Sequence, residues 1–426
     1  MVAELNPTLI EQAKAAKQAS RKLAGLSTTI KNRALEAIAE ALVAHQDEIL
    51  GANAVDVERA RDAGLTDAPL SRLRLTPEKI AAIAKDVRTV AQLPDPVGEV
   101  IDGWRLPNGL NVSRRRVPLG VLAAVFESRP NVTIDIASLC LKSGNACVLR
   151  GGSEAIRSNT VLAHIAREAE AEAGVPDGAL QFVESTDRGL VAQLLTLRDY
   201  IDIVVPRGGA ALIRFVAENA RMPVLTGGIG VCHTYVDRAA DLEKAVAIAL
   251  NAKTRNWSIC NALDTLLVHQ AVAEAFLPRI ASRWTEAGVA LRCDERALAV
   301  VTGAGDGVNA TAAAPDDFGH EFLAPVAAVR VVDSLDEALD HVARYGTGHS
   351  DAIVTEDQSA AQRFTDEVDT AVVYVNASTQ FTDGAQFGLG AEIIDSTQKT
   401  IARGPVGLRE ITTYKWVVVG AGQTRP

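Results

Sequence analysis

The spacing of apolar positions changes along the chain, and the change divides it. Early on, Ile30, Ala34, Leu35, Ile38, Ala41 and Leu42 recur on one helical face after the capping candidates Ser27-Thr28-Thr29. Their neighbours are mostly Ala, Leu, Lys, Arg, Glu and Gln, good helix formers, so residues 1–93 read as a helical lead-in. Leu93-Pro94-Asp95-Pro96 breaks that pattern. Glu99–Leu106 and Leu110–Val117, joined by Pro107-Asn108-Gly109, then read as a hairpin by turn chemistry. This hairpin, residues 97–118, is expected to serve either as an oligomerisation arm or as a surface flap.

From Val117 onward, short Val- and Ile-rich runs alternate with helical patterns. Strands are predicted at Gly120–Phe126, Ala146–Leu149, Leu180–Glu184, Ile201–Val205 and Pro223–Thr226. Helices are predicted at Ile134–Leu141, Ile156–Ala173, Gly189–Leu197 and Ala210–Ala220. That alternation is the sequence form of a parallel sheet covered on both faces. After residue 260 it resumes, with strands expected at Asp264–Val268, Ala297–Val301, Val326–Val331, Asp351–Val354 and Ala371–Val375. Helices are expected there at Ala271–Glu286, Asp336–Arg344 and Ser359–Val368. Gly303–Phe318, rich in Gly, Ala and Asp, reads as a mobile loop. The strand-like tail Ile411–Val419 is placed to pair with the early hairpin.

A chain of 426 residues exceeds what one core fills, so more than one domain is expected. Its 43 Lys and Arg against 53 Asp and Glu, with no basic block, argue against a nucleic-acid partner. The N-terminal segment carries charges where a secretory leader needs an unbroken apolar stretch. The longest near-apolar run, Val117–Phe126, is far short of the roughly 18 residues a membrane span requires. Five cysteines with no Cys-x-x-Cys pair fit reduced thiols and a cytoplasmic location.

The inventory of chemistry is narrow. No phosphate-binding P-loop, Gly-x-Gly-x-x-Gly or Gly-x-Ser-x-Gly motif is present. The seven His include no His-x-x-x-His pair, and no metal site is expected. Two cationic Gly-Gly turns remain, Arg150-Gly151-Gly152-Ser153 and Arg207-Gly208-Gly209, each between a predicted strand and helix. Such turns present backbone N–H groups to an anion, although a plain turn has the same sequence. Cys260 lies in Asn251–Ala262, with Lys253 and Arg255 placed to favour a thiolate. Core packing is the alternative for it, as for any cysteine among apolar residues.

Lys253–His269, Phe126–Thr133, Gly227–Asp237 and Gly390–Trp416 resemble the gamma-glutamyl phosphate reductases, a branch of the aldehyde dehydrogenase superfamily. The resemblance covers essentially the whole chain. It implies an α/β, aldehyde-dehydrogenase-like fold with two Rossmann-like domains on parallel-type sheets and a small β oligomerisation element. The nucleotide-binding domain would span 1–255 and the catalytic domain 256–389. Residues 390–426 would return to the first domain and supply the oligomerisation strand.

The resemblance further implies NADPH-dependent reduction of L-glutamyl 5-phosphate to L-glutamate 5-semialdehyde and phosphate, in L-proline biosynthesis. Cys260 matches the nucleophile and Asn131 the side-chain donor of the oxyanion hole. Gly208 and Gly209 match the turn against the cofactor pyrophosphate, Arg150 and Ser153 the adenosine ribose and 2′-phosphate contacts, and Glu321 the nicotinamide-ribose carboxylate. Arg129, Arg255 and Asn256 are candidate substrate contacts, with Asn256-Trp257 standing where the family often carries Arg-Pro. A separate glutamate 5-kinase would supply the substrate, and a homodimer or homotetramer is implied. Val224–Gly228 carries no carboxylate where hydrolytic relatives keep a water-activating Glu, so the thioester is expected to await hydride. A hydrolytic aldehyde dehydrogenase acting on another substrate and a catalytically silent nucleotide-binding protein stay open as alternatives.

Overall fold

The computed structural model describes residues 5–303 and 307–425. The chain forms two compact units, one of residues 1–226, 388–394 and 406–426, the other of 227–387 and 395–405.

The first unit opens with helices α1 (Pro7–Leu23), α2 (Thr28–Ala44), α3 (Gln46–Asp62), α4 (Asp67–Leu73) and α5 (Pro77–Gln92). Ser27 caps α2 by accepting from the Ile30 N–H, and the expected stripe of Ala34, Leu35, Ile38 and Leu42 is buried. Strands β1 (Val100–Arg105) and β2 (Asn111–Pro118) form the antiparallel hairpin. Next come β3 (Val121–Phe126), α6 (Asn131–Ser143), β4 (Ala146–Gly151), α7 (Ile156–Glu172), β5 (Leu180–Phe182), α8 (Gly189–Leu194), β6 (Ile203–Arg207) and α9 (Ala210–Asn219). The sheet runs β5-β4-β3-β6, all parallel. The predicted strand at Pro223–Thr226 shrinks to one bridge, Val204 to Val224. Because β4 and β6 flank β3, the order reverses between β3 and β6, the point where α/β sheets open a ligand crevice beyond their carboxyl ends.

The second unit contains β7 (Cys232–Val236), α10 (Leu242–Thr254), β8 (Leu263–His269), α11 (Gln270–Glu286), β9 (Ala290–Cys293) and α12 (Glu295–Gly303). It continues through β10 (Ala310–Ala312), β11 (Val326–Val332), α13 (Leu335–Tyr345), β12 (Ser350–Val354), α14 (Gln358–Glu367) and β13 (Val372–Val375). The sheet is parallel throughout, in the order β10-β9-β11-β8-β7-β12-β13. A short ladder of β14 (Asp395–Ser396) and β15 (Gly404–Pro405) belongs to this unit. The last strand, β16 (Thr412–Val419), returns to the first unit and pairs antiparallel with β2 over eight residues.

Four further expectations change. The unit boundary falls at 226/227 and not at 255, because β7 bonds to β8 and β12, which draws β7 and α10 into the second sheet. For the same kind of reason 395–405 stays with the second unit and only its flanks return to the first. Ala297–Val301 is helical: Asp294 caps the turn by accepting from the Ala297 N–H at 2.7 Å, and the strand lies just before it. Within Gly303–Phe318, β10 pairs with β9 and Pro315–Gly319 forms a 3-10 turn, so an ordered segment replaces the expected loop. Residues 304–306 of that stretch lie outside the described residues.

Candidate functional site

In the second unit, three chain segments converge on one sulfur. Cys260 lies in the turn between α10 and β8, and it alone among the five cysteines is half-buried, the other four being buried. Its carbonyl oxygen accepts from the Cys232 thiol at 3.2 Å. Burial holds the Cys232 thiol well above the usual range and pushes Cys293 to about 12. Cys147 is raised by its hydrogen bond to Cys140 and by burial. The Asn261 side chain donates to Thr382 O at 2.8 Å and Thr379 Oγ1 donates to Asn261 O at 2.7 Å, which pins the turn to residues 379–382.

Gly230 makes this turn possible. A Cβ there would stand 1.9 Å from the Cys260 carbonyl oxygen, so no side chain fits without moving Cys260. The Gly230 N–H donates to Glu321 Oε1 at 3.0 Å, which places that candidate cofactor ligand one residue contact away from the Cys260 turn.

A carboxylate also stands at the sulfur, contrary to the expectation drawn from Val224–Gly228. Cys260 Sγ donates to Asp395 Oδ2 at 4.0 Å. A ring nitrogen of His349 joins them, the three donor atoms lying within 4.8 Å of one another. This carboxylate arrives on β14 and not on the strand preceding the Gly-Gly pair, so that strand's sequence carries no sign of it. Sulfur, imidazole and carboxylate are also a zinc-type donor set, the one such cluster among the described residues.

The two basic residues expected to favour a thiolate are otherwise engaged. Lys253 is fully buried and pairs with Asp264 at 3.3 Å. Burial lowers its ammonium and lifts the Asp264 carboxyl to about 6. Arg255 is exposed and donates to Gln380 Oε1 at 3.0 Å, while Gln380 Nε2 donates to the Asn256 carbonyl at 3.1 Å. The Asn256 side chain accepts from Ser258 N and Oγ, closing a local turn.

In the first unit, Asn131 opens α6 directly after the β3 end. Its side-chain N–H donates to Asp135 Oδ2 at 2.8 Å, one helical turn on. Burial lifts the Asp135 carboxyl to about 6, with Arg207, the Asn131 bond and Arg129 opposing. Arg129, half-buried two residues earlier, thus adds positive charge around Asn131. Ser128, just ahead of Arg129, has φ +50°, a left-handed kink where the chain turns from strand towards helix.

The Gly208-Gly209 turn lies at the start of α9, on the other side of the sheet's reversal point. The Gly209 N–H donates to Glu127 Oε2 at 2.9 Å, and a Cβ at Gly208 would meet that oxygen at 2.4 Å. A carboxylate oxygen therefore already sits where a helix N-terminus welcomes an anionic oxygen. The chemistry of this cradle, backbone N–H facing an anionic oxygen, is of the kind a pyrophosphate oxygen accepts. Arg150 ends β4, and its buried Nε has no hydrogen-bond partner among the described residues. Burial lowers its ionisation, opposed by Glu154. Ser153, exposed, begins the next turn. A guanidinium and a hydroxyl three residues apart in sequence are both donor types that a phosphate accepts from.

Asp395, His349, Glu127 and Asp135 were not singled out from the sequence. Asp395 and Glu127 both lie in stretches quoted above for resemblance, and in each the carboxylate itself was the available signal.

The family model described as "Aldehyde dehydrogenase family" matches residues 2–299 and 315–417. Gamma-glutamyl phosphate reductase of Dehalococcoides mccartyi (strain CBDB1) is 55% identical over 415 residues, 97% of this chain and 98% of that one. The Halothermothrix orenii protein of that name is 50% identical over 422 residues, 99% of this chain and 100% of its own. The crystal structure of gamma-glutamyl phosphate reductase from Thermotoga maritima superposes with a TM-score of 0.95 at 47% identity, covering 98% of this chain and 100% of that one.

Proposed function

The chain belongs to the aldehyde dehydrogenase family, and from that premise we propose that it reduces L-glutamyl 5-phosphate to L-glutamate 5-semialdehyde and phosphate. The observation that carries this reading is the 55% identity to gamma-glutamyl phosphate reductases over nearly the full chain, joined to one accessible thiol among five. The step belongs to L-proline biosynthesis and needs a nicotinamide cofactor, which we take to be NADPH.

Cys260 Sγ attacks the acyl carbon, the C–O bond to phosphate breaks, and a thioester forms on the enzyme. When bound, the nicotinamide supplies the hydride that reduces that thioester. Each tetrahedral stage carries an oxyanion, for which the Asn131 amide and the Cys260 N–H are the donors. Arg150 and Ser153 take the 2′-phosphate side of the cofactor, Gly208 and Gly209 its pyrophosphate, and Glu321 the nicotinamide ribose. Arg129, Arg255 and Asn256 are the candidate contacts to substrate. The phosphate substrate calls for a separate glutamate kinase, and the β1-β2-β16 sheet for a second copy of this chain.

Cys260→Ala is expected to abolish turnover while fluorescence titration still detects NADPH binding; loss of that binding contradicts the role assigned. Asn131→Ala is expected to lower kcat by a factor on the order of 10²–10³ with little change in KM. A rise in KM alone contradicts the oxyanion assignment.

One observation favours a second reading. A carboxylate 4.0 Å from the nucleophile can serve water as a base, and the product would then be an acid rather than an acyl phosphate. Oxidation of the semialdehyde without phosphate separates the two.

A further inference from the structure

Phosphate leaves the tetrahedral adduct poorly as a trianion, so a proton must reach the leaving oxygen while another is taken from the thiol. A single group that accepts the thiol proton and delivers it to the leaving oxygen keeps the step balanced. Resting on the reading above, we propose that Asp395 is the acid–base residue of the thioester cycle, with His349 as its proton relay.

The geometry suits this exchange. Asp395 Oδ2 lies 4.0 Å from Cys260 Sγ, the outer limit of an S–H···O contact, and tightening on substrate binding is the usual behaviour of such bonds. A ring nitrogen of His349 is within 4.8 Å of both reacting atoms. His349 is buried and held in orientation: its Nδ1 bonds Ser350 Oγ at 2.9 Å, and Ser350 Oγ bonds Thr382 Oγ1 at 2.7 Å. Tyr374 OH bonds the same Thr382 hydroxyl at 2.8 Å. The other titratable groups around the cluster are Cys232, Asp351, Asp264 and Tyr374, with Lys253 engaged by Asp264.

The proton count closes. As the S–C bond forms, the thiol proton passes to Asp395, which returns it to the bridging oxygen as the C–O bond breaks, releasing hydrogen phosphate. After hydride arrives, the hemithioacetal oxyanion expels the sulfur as thiolate, and aldehyde departs. The thiolate regains a proton from solvent through His349 and Asp395. Net consumption is one hydride and one proton per aldehyde formed.

The test uses the full chain, in chelator-containing buffer, with two readouts. One is the pH profile of Cys260 alkylation by iodoacetamide, followed on its peptide by mass spectrometry; the other is reductase turnover. Asp395→Asn removes a negative charge beside the sulfur, so the alkylation midpoint is expected to fall by about one pH unit or more, while turnover drops about a hundredfold or more. Asp395→Glu should recover part of that turnover, and His349→Gln should cost about tenfold. Loss of the charge alone lowers the alkylation midpoint whatever the role of Asp395, so the turnover loss and its partial rescue by Asp395→Glu are the discriminating readout. Should Asp395→Asn fail to fold, Asp395→Ala and Asp395→Glu decide, the first losing turnover with Cys260 still alkylated and the second keeping part of it. Turnover within threefold of the unaltered enzyme in Asp395→Asn or Asp395→Ala overturns the proposal. If Cys260→Ala stays active, the reading beneath has failed; if Cys260 is required and Asp395 is not, only this inference has.

Discussion

At the residue scale, the Cys260 turn depends on a neighbour with no side chain. Gly230→Ala would drive a methyl into the Cys260 carbonyl, and relief of that clash must rotate the turn that aims the sulfur. Turnover is expected to fall at least tenfold while the melting temperature changes little, as checked by steady-state kinetics beside calorimetry; unchanged kcat contradicts the packing argument. Glu170 offers a test of stability. It is buried in α7, and burial lifts its carboxyl to about 8. Between an unfolded carboxyl near pH 4 and that folded value, the native state holds a proton the unfolded state has lost. Its contribution to stability therefore falls as pH rises through this window. Glu170→Gln is expected to raise the melting temperature by several degrees at pH 8 and hardly at all at pH 5; equal shifts at both contradict the burial argument. Residue types pointed to Cys260 through its basic neighbours, and the fold leaves it the half-buried one of the five cysteines. They told less about what surrounds it. Lys253 turned to Asp264 and Asp395 arrived from 135 residues away, because side-chain partners are fixed by tertiary packing rather than by sequence neighbours.

At the element scale, the β1-β2-β16 sheet was legible because turn chemistry and alternation are local signals. Only the pairing of β16 with β2 spans the chain, and the unpaired strand-like tail suggested it. One side of this sheet leaves Trp104, Tyr414, Trp416 and Val418 exposed. Trp416 packs edge-on against Trp104 and Tyr414, and Arg114 lies 5.0 Å from the Tyr414 ring. Exposed aromatic patches of this kind mark protein contacts. If this sheet joins two copies of the chain, as proposed, Trp416→Glu lowers the mass seen in light scattering to that of a monomer with the fold retained; a mass equal to that of the unaltered chain contradicts the proposal. Ala297–Val301 failed for the opposite reason. Its apolar run fits strand and helix alike, and the cap at Asp294 decided for helix.

At the scale of the whole molecule, alternating strands and helices announced two parallel α/β sheets, and full-length similarity fixes the family. The boundary between units was less legible, because β7 reads the same in either sheet and only its hydrogen-bond partners place it. Beyond the family, the account rests on a thioester that phosphate, and not water, makes and unmakes. Asp395 sharpens that issue, since a base beside the sulfur can serve either nucleophile. The direct measurement is the reverse reaction, L-glutamate 5-semialdehyde with NADP⁺, run with and without inorganic phosphate. NADPH formation that requires phosphate is the expected result; formation of NADPH and glutamate at the same rate without phosphate would contradict it.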